Sequence, residues 1–278
     1  MMRAAAEFRP RGPTPHEAVP WVLLRGLVRE KRHWGDLPQQ LANRLGTRVY
    51  CPDLPGNGAL FRETSPLRLE QTLETVRQAR DDDGPVNLLG LSMGGMVASL
   101  WACHYPHEIS GLVLINSSFG DLSRPWQRIR PRALLRLLGA LFASVENRER
   151  AIYRLTCHLR RDEAATLAQW CRFAHECPVS PGNFLRQLIA SARCRTGSEV
   201  PIAPALVLAS DADRLADRSC SAAIARRWGA PLLRHPDAGH DLPHDDPDWM
   251  LEKIAHWLAL IGQPVPPRPG TPYPCRVE

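Results

Sequence analysis

Apolar residues in the first part of the chain fall into short continuous runs separated by stretches with helical spacing. Trp21-Val22-Leu23-Leu24, Val49-Tyr50-Cys51-Pro52-Asp53, Val86 to Leu89 and Gly111 to Asn116 read as strands buried on both faces. Between them, Trp34, Leu37, Leu41 and Leu45 recur at three- and four-residue intervals, Leu67 to Ala79 is amphipathic, and Met93 to His104 is helical in pattern. From Phe119 to Glu199 the alternation stops and only helical periodicity remains, around 131–143, 147–159, 162–176 and 181–194. Ser180-Pro181 supplies a cap and a first residue for the last of these. Alternation then resumes with a strand at Ala205–Ala209, a helix from Asp217 to Trp228, a strand from Pro231 to Arg234 and a helix from Pro247 to Leu260. The pattern predicts an α/β protein with a doubly wound, mainly parallel sheet of about six strands and an all-helical insertion after the fourth.

The boundaries follow. Residues 21–118 and 200–261 should form the core and 119–199 a helical lid. The Pro-rich, charged stretch 1–20 and the tail 262–278, with six prolines, are expected to be disordered. Met1-Met2-Arg3 leads into no apolar segment of the secretory kind. The uncharged run Gly84 to Cys103 holds Asn87, Ser92, Ser99 and four glycines, and reads as a buried strand and helix rather than a membrane span. Eight scattered cysteines with no CxxC pair fit a reducing, cytoplasmic setting. Of the net charge of +6, the segment Phe119 to Glu199 carries +7, from fourteen Arg against seven acids. That is either a solvated helical surface or a patch for an anionic partner: an acidic carrier protein, an anionic lipid surface or a charged substrate.

The chemistry centres on Gly90-Leu91-Ser92-Met93-Gly94, a G-x-S-x-G pentapeptide between a strand and a helix. Chance alone supplies this pattern in roughly one chain in ten of this length, so its context must decide. A serine hydroxyl needs a base, and the base an orienting acid. Parallel sheets gather functional groups at the carboxyl ends of their strands. Asp213, in Ser210-Asp211-Ala212-Asp213, and His240, in Ala238-Gly239-His240, both follow later strands, giving the order Ser, Asp, His. Asp211 and Asp121 are rival candidates for the acid.

Together with the turn Asp53-Leu54-Pro55-Gly56-Asn57-Gly58, these motifs resemble the α/β-hydrolase superfamily, of the lidded esterase and thioesterase type, over residues 20–261. The resemblance implies that Ser92 attacks, that His240 is general base and then acid, and that Asp213 orients it. Met93 N–H, at a helix start, is one expected oxyanion donor. The family's His-Gly-x turn corresponds to Arg25-Gly26-Leu27, which implies Leu27 N–H as the second. Arg25 replaces the usual His, and is either a structural ion-pair donor or a contact for an anionic substrate. The following run, Arg29 to His33, reads as a solvated helix start. A basic lid also resembles, loosely, the pimeloyl-acyl-carrier-protein methyl ester esterases, which implies an acidic carrier protein as partner.

No metal or organic cofactor is implied. His235, His240 and His244 lie among Asp237, Asp241, Asp245 and Asp246 without metal-ligand spacing, and Asp245-Asp246-Pro247 reads as the start of the last helix. The Arg-rich lid carries no nucleic-acid recognition motif. Leu134, Leu135, Leu137, Leu138, Leu141 and Phe142 are expected to be lid core or pocket wall, which suits an acyl ester or thioester substrate. C–C bond hydrolysis, cofactor-free haloperoxidase chemistry and an idle binding protein on the same scaffold remain open.

Overall fold

In the computed structural model, residues 5–10, 18–80, 84–159 and 162–265 are described. The chain runs β1 (Ala5–Phe8), β2 (Ala18–Leu24), α1 (Leu37–Leu45), β3 (Thr47–Pro52), α2 (Leu69–Gln78), β4 (Val86–Leu91), α3 (Met93–His104) and β5 (Ile109–Ile115). The insertion contributes α4 (Pro125–Arg128), α5 (Pro131–Ala140), α6 (Val145–Thr156), α7 (Glu163–Glu176) and α8 (Pro181–Arg193). β6 (Ala205–Ser210), α9 (Ser219–Trp228), β7 (Leu232–His235), α10 (Leu242–Asp245) and α11 (Pro247–Leu260) complete the fold.

The sheet order is β1-β3-β2-β4-β5-β6-β7, with every pair parallel except β1 against β3. Successive strand residues point to opposite faces, so each continuous apolar run feeds two cores. Val22, Leu24, Leu88 and Leu114 pack with Leu73 of α2, Trp101 of α3 and Ile224 of α9. Trp21, Leu23, Leu89 and Val113 pack with Leu41 of α1 and Met250 and Trp257 of α11. The chain leaves β2 in one direction for β3 and returns to β4 in the other. The carboxyl ends of β2 and β4 therefore meet at the switch point where such sheets place ligands.

Three expectations are corrected. The sheet has seven strands, because Ala5–Phe8 adds an antiparallel edge strand. Residues 1–20 are thus not uniformly disordered: 5–8 pair with β3, 18–20 belong to β2, and 1–4 and 11–17 lie outside the described residues. At the other end, the Gln263 side chain donates to the Ser110 carbonyl at 3.0 Å and accepts from Asn87 Nδ2 at 2.9 Å, so the ordered chain runs past 262. The remainder of the tail, 266–278, lies outside the described residues.

Helix starts also shift. Gly35 at φ 56° separates a short turn at Lys31–Trp34 from α1, which begins with Pro38 in its first turn. Within the insertion, Leu137 is buried, whereas Leu135 and Phe142 are exposed, at 70% and 92%, on the outer side of α5 and just beyond it. The uncharged run from Gly84 divides into β4 and α3. Among the described residues no helix is long and apolar enough to cross a membrane.

Candidate active site

The turn between β4 and α3 puts Ser92 at φ 56° and ψ −117°, a left-handed conformation that a non-glycine residue holds only when its surroundings enforce it. The enforcement is visible. Ser92 N–H donates to the Ile115 carbonyl at 2.9 Å, and the Ser92 carbonyl accepts from Gly95 N at 3.0 Å and from Ser117 Oγ at 2.9 Å. A Cβ on Gly90 would stand 2.5 Å from Gly95 Cα, and one on Gly94 would collide with the Leu24 carbonyl. Only glycine fits either place. From the loop after β2, Gly26 approaches so closely that its Cβ would lie 3.2 Å from Ser92 Cβ. Leu27 and Met93 thereby come to the same cavity wall as Ser92.

His240 and Asp213 arrive from the other side. Asp213 Oδ1 accepts from Leu215 N at 2.7 Å and Ala216 N at 2.9 Å, which turns Oδ2 toward His240 Nδ1 at 2.6 Å. With Nδ1–H committed to the carboxylate, Nε2 carries the free lone pair of the neutral ring. Nε2 is buried and without a hydrogen-bond partner, and His240 lines the same cavity as Ser92. Asp211 is instead tied to Arg234 at 2.7 Å and Arg218 at 3.3 Å. Asp121 caps the chain at Thr196 and Gly197, accepting from Thr196 Oγ1 at 2.8 Å. Neither rival reaches His240.

The loop bearing His240 is braced from three directions. Arg25 forms a two-point ion pair with Asp241 at 2.6 and 3.1 Å, both residues at most 3% exposed, with its guanidinium over the Trp34 ring. Burial would raise the Asp241 carboxyl, but the charge and hydrogen bonds of Arg25 outweigh it and hold the group below the ordinary aspartate value. Arg25 therefore braces the histidine loop and is not part of the cavity wall. Asp245 accepts from Gly239 N at 2.6 Å and His158 N at 2.8 Å, and burial pushes its carboxyl above the ordinary value. Asp246, as read from the sequence, caps α11 through Trp249 N. Asn116, at φ 46°, donates to the His240 carbonyl at 2.8 Å.

The insertion grips the core through the segment read as solvated. Arg29, Glu30 and His33 are buried. Arg29 pairs with Glu149 of α6 at 2.6 Å and stacks on Trp170 of α7, and Arg32 pairs with Glu176. Burial, reinforced by the charges of Arg29 and Arg25, pushes the His33 imidazole well below its usual value, so it is neutral here. On α8, Gln187 accepts from Val28 N at 3.0 Å and donates to Asn57 Oδ1 and Ser65 Oγ, each at 3.0 Å.

The resulting cavity has a volume of about 170 Å³. Ser92, His240, Leu27 and Met93 meet apolar walls from Met96, Ile129, Leu137, Leu188 and Leu215. Arg128 also lines it, its guanidinium bonded to the Ala192 carbonyl at 2.9 Å and to the Ser191 carbonyl. Asn116, Arg128 and Gln187 escaped the sequence reading. Of these, only Asn116 carried a signal, as a polar residue at the carboxyl end of a strand. His235 pairs with Asp246 at 3.1 Å, and His244 sits between the Tyr153 and Trp170 rings.

Residues 21–253 match the model of the alpha/beta hydrolase family. The chain is 31% identical over 154 residues to a pimeloyl-[acyl-carrier protein] methyl ester esterase of Aeromonas salmonicida, a match covering 54% of this chain and 59% of that relative. Among solved structures, an enol-lactonase from Burkholderia xenovorans superposes with a TM-score of 0.74 at 19% identity, covering 92% of this chain and 95% of that one. A thermophilic esterase from Thermogutta terrifontis superposes with a TM-score of 0.69 at 20% identity, covering 93% of each. At those identities the structural likeness speaks to the fold.

Proposed function

Since the chain belongs to the alpha/beta hydrolase family, we propose that it is a serine hydrolase cleaving a carboxylic ester or thioester through an acyl-enzyme. The observation that carries this reading is His240: Nδ1 bound to Asp213 at 2.6 Å, and Nε2 unpartnered in the cavity that Ser92 lines. Ser92 Oγ attacks the carbonyl carbon as His240 Nε2 takes the hydroxyl proton. The amides of Met93 and Leu27 hold the oxyanion, aided by the α3 N-terminus. The tetrahedral adduct collapses, His240 returns the proton to the departing alcohol or thiol, and a water activated by the same nitrogen releases the acid. Asp213 keeps the ring in the required tautomer and stabilises its cation. This sequence of steps calls for no metal or cofactor.

An alkyl fluorophosphonate tests the reading, because it phosphonylates an activated serine. Wild type should label at Ser92 and Ser92→Ala should not. A folded wild type that stays unlabelled would falsify it.

For the partner, an acidic carrier protein presenting the acyl group is supported by exposed Arg124, Arg132 and Arg136 on α5 and just before α4. The similarity to a relative named for an acyl-carrier-protein ester points the same way. The seven cysteines among the described residues are unpaired, which supports a reducing compartment such as the cytoplasm.

A further inference from the structure

Behind the wall of the catalytic cavity lies a second, smaller chamber of about 60 Å³. Leu141 beyond α5, Ile152 of α6, Phe173 of α7, Phe184 of α8 and Val28 of the loop after β2 are among the residues that line it. Two features join it to the catalytic cavity. Leu137, only 7% exposed, lines both. Leu27 and Val28 are consecutive in the chain, yet Leu27 lines the catalytic cavity and Val28 the chamber. This reversal accompanies the left-handed backbone of Val28, at φ 53°, whose N–H is held by Gln187. Leu27, Val28 and Leu137 belong to one apolar cluster with Ile152 and Phe184, so apolar side chains pack where the two cavities adjoin.

The charged groups on the chamber wall already have partners. Arg29 pairs with Glu149 at 2.6 Å, and Glu30 with Arg32 at 2.6 Å. An occupant needs to supply apolar surface, not a counter-charge. Ser92, Met96, Leu188 and Leu137 line one cavity, so a chain bonded to Ser92 shares that cavity with Leu137.

We propose that this chamber is the tail site for acyl chains longer than the catalytic cavity holds, and that Leu137 is the residue that sets their length. The proposal rests on the serine hydrolase reading above. A chain that reaches Leu137 displaces its side chain and places its last methylenes among Ile152, Phe173 and Phe184. Each methylene moved from water into such surroundings is worth about a fourfold gain in affinity.

The test compares butanoyl and decanoyl p-nitrophenyl esters, read as the ratio of kcat/KM for long over short, with active enzyme counted by fluorophosphonate titration. Leu137→Ala opens the partition and should raise the ratio about fifteenfold, as two further methylenes are accommodated. Leu137→Trp closes it, and Ala174→Phe fills the chamber from α7; both should lower the ratio by about the same factor. The ratio does not depend on the folded fraction, so loss of stability in one variant does not mask the answer. Ratios within about twofold of wild type in all three variants would overturn the tail site. Calorimetric binding of butanoic and decanoic acids to the same variants separates the two claims. Length-dependent binding that follows Leu137, in a protein that hydrolyses no ester, supports the chamber and counts against the serine reading alone. Binding indifferent to Leu137 counts against the chamber.

Discussion

Asp213 uses its two carboxylate oxygens differently: Oδ1 caps the following turn and Oδ2 faces His240. Asp213→Asn preserves the shape but offers an amide to Nδ1, which favours the wrong tautomer. We expect kcat to fall about 10⁴-fold with KM little changed, measured on a soluble ester. The neighbouring Arg25–Asp241 pair makes a different prediction. Arg25→Met leaves a buried carboxylate unpaired and should cost about 3–5 kcal/mol, whereas Arg25→Met with Asp241→Leu should restore much of that loss. The pH dependence fixes the sign. Asp241 has a lowered value in the folded protein, so its contribution is present above the unfolded value near 4 and is lost as pH falls through the folded one. Asp245, raised by burial, acts in the opposite sense, favouring the folded state below about pH 4. Urea midpoints from pH 3 to 7 should therefore fall on acidification more for wild type than for the double variant. A parallel pair of curves would remove the role assigned to Asp241. At this scale the meeting of Ser92, Asp213 and His240 was legible because each follows a readable apolar strand, and the structure brings the three together. Position alone left Asp211 as a rival; in the structure Asp213 bonds His240, while Arg234 and Arg218 hold Asp211.

Elements were legible wherever one face of a helix or both faces of a strand are apolar. Six strands and the insertion's four long helices lie close to where their periodicity puts them, with ends displaced by a few residues. What periodicity missed depends on backbone pairing and on residues far away in the chain. β1 is four residues long, and its register comes from the β3 edge, not from its own pattern. The clamp between insertion and core was likewise hidden, since Gln187 and Val28 are 159 residues apart and Arg29 and Glu149 are 120 apart. Gln187 holds the loop that carries Leu27, so it is a positioning residue for the proposed oxyanion site. Gln187→Ala should loosen that loop and lower kcat by up to about 10²-fold, with a smaller effect on KM. Gln187→Glu, which keeps an acceptor for Val28 N–H, should recover part of kcat. Equal losses in both variants would mean that the bond to Val28 is not what matters.

Across the whole molecule, the excess positive charge lies in the insertion, while the rest of the chain is near neutral. Ser92 and His240 line a cavity whose walls are mostly apolar and come in part from the insertion. A free ester entering the cavity has little reason to sense the surface charge. A substrate carried by an acidic protein would sense it during approach, because a field of several charges extends about 8 Å at physiological ionic strength and less at higher salt. Raising salt should therefore depress kcat/KM for a carrier-bound acyl group and leave a small soluble ester nearly unaffected. Arg132 and Arg136 are exposed on α5, where they line a surface groove that Asp213 also borders. Changing both to Glu reverses the local field, and should raise KM for the carrier-bound substrate about tenfold while leaving the small ester's KM in place. Steady-state kinetics on the two substrates at two salt concentrations reads all of this together. If reversal and salt act equally on both substrates, the basic face is a solvated surface and the carrier is not docked there. If only the carrier-bound reaction responds, specificity is divided between a charged exterior that recruits the substrate and an apolar interior that measures its acyl chain.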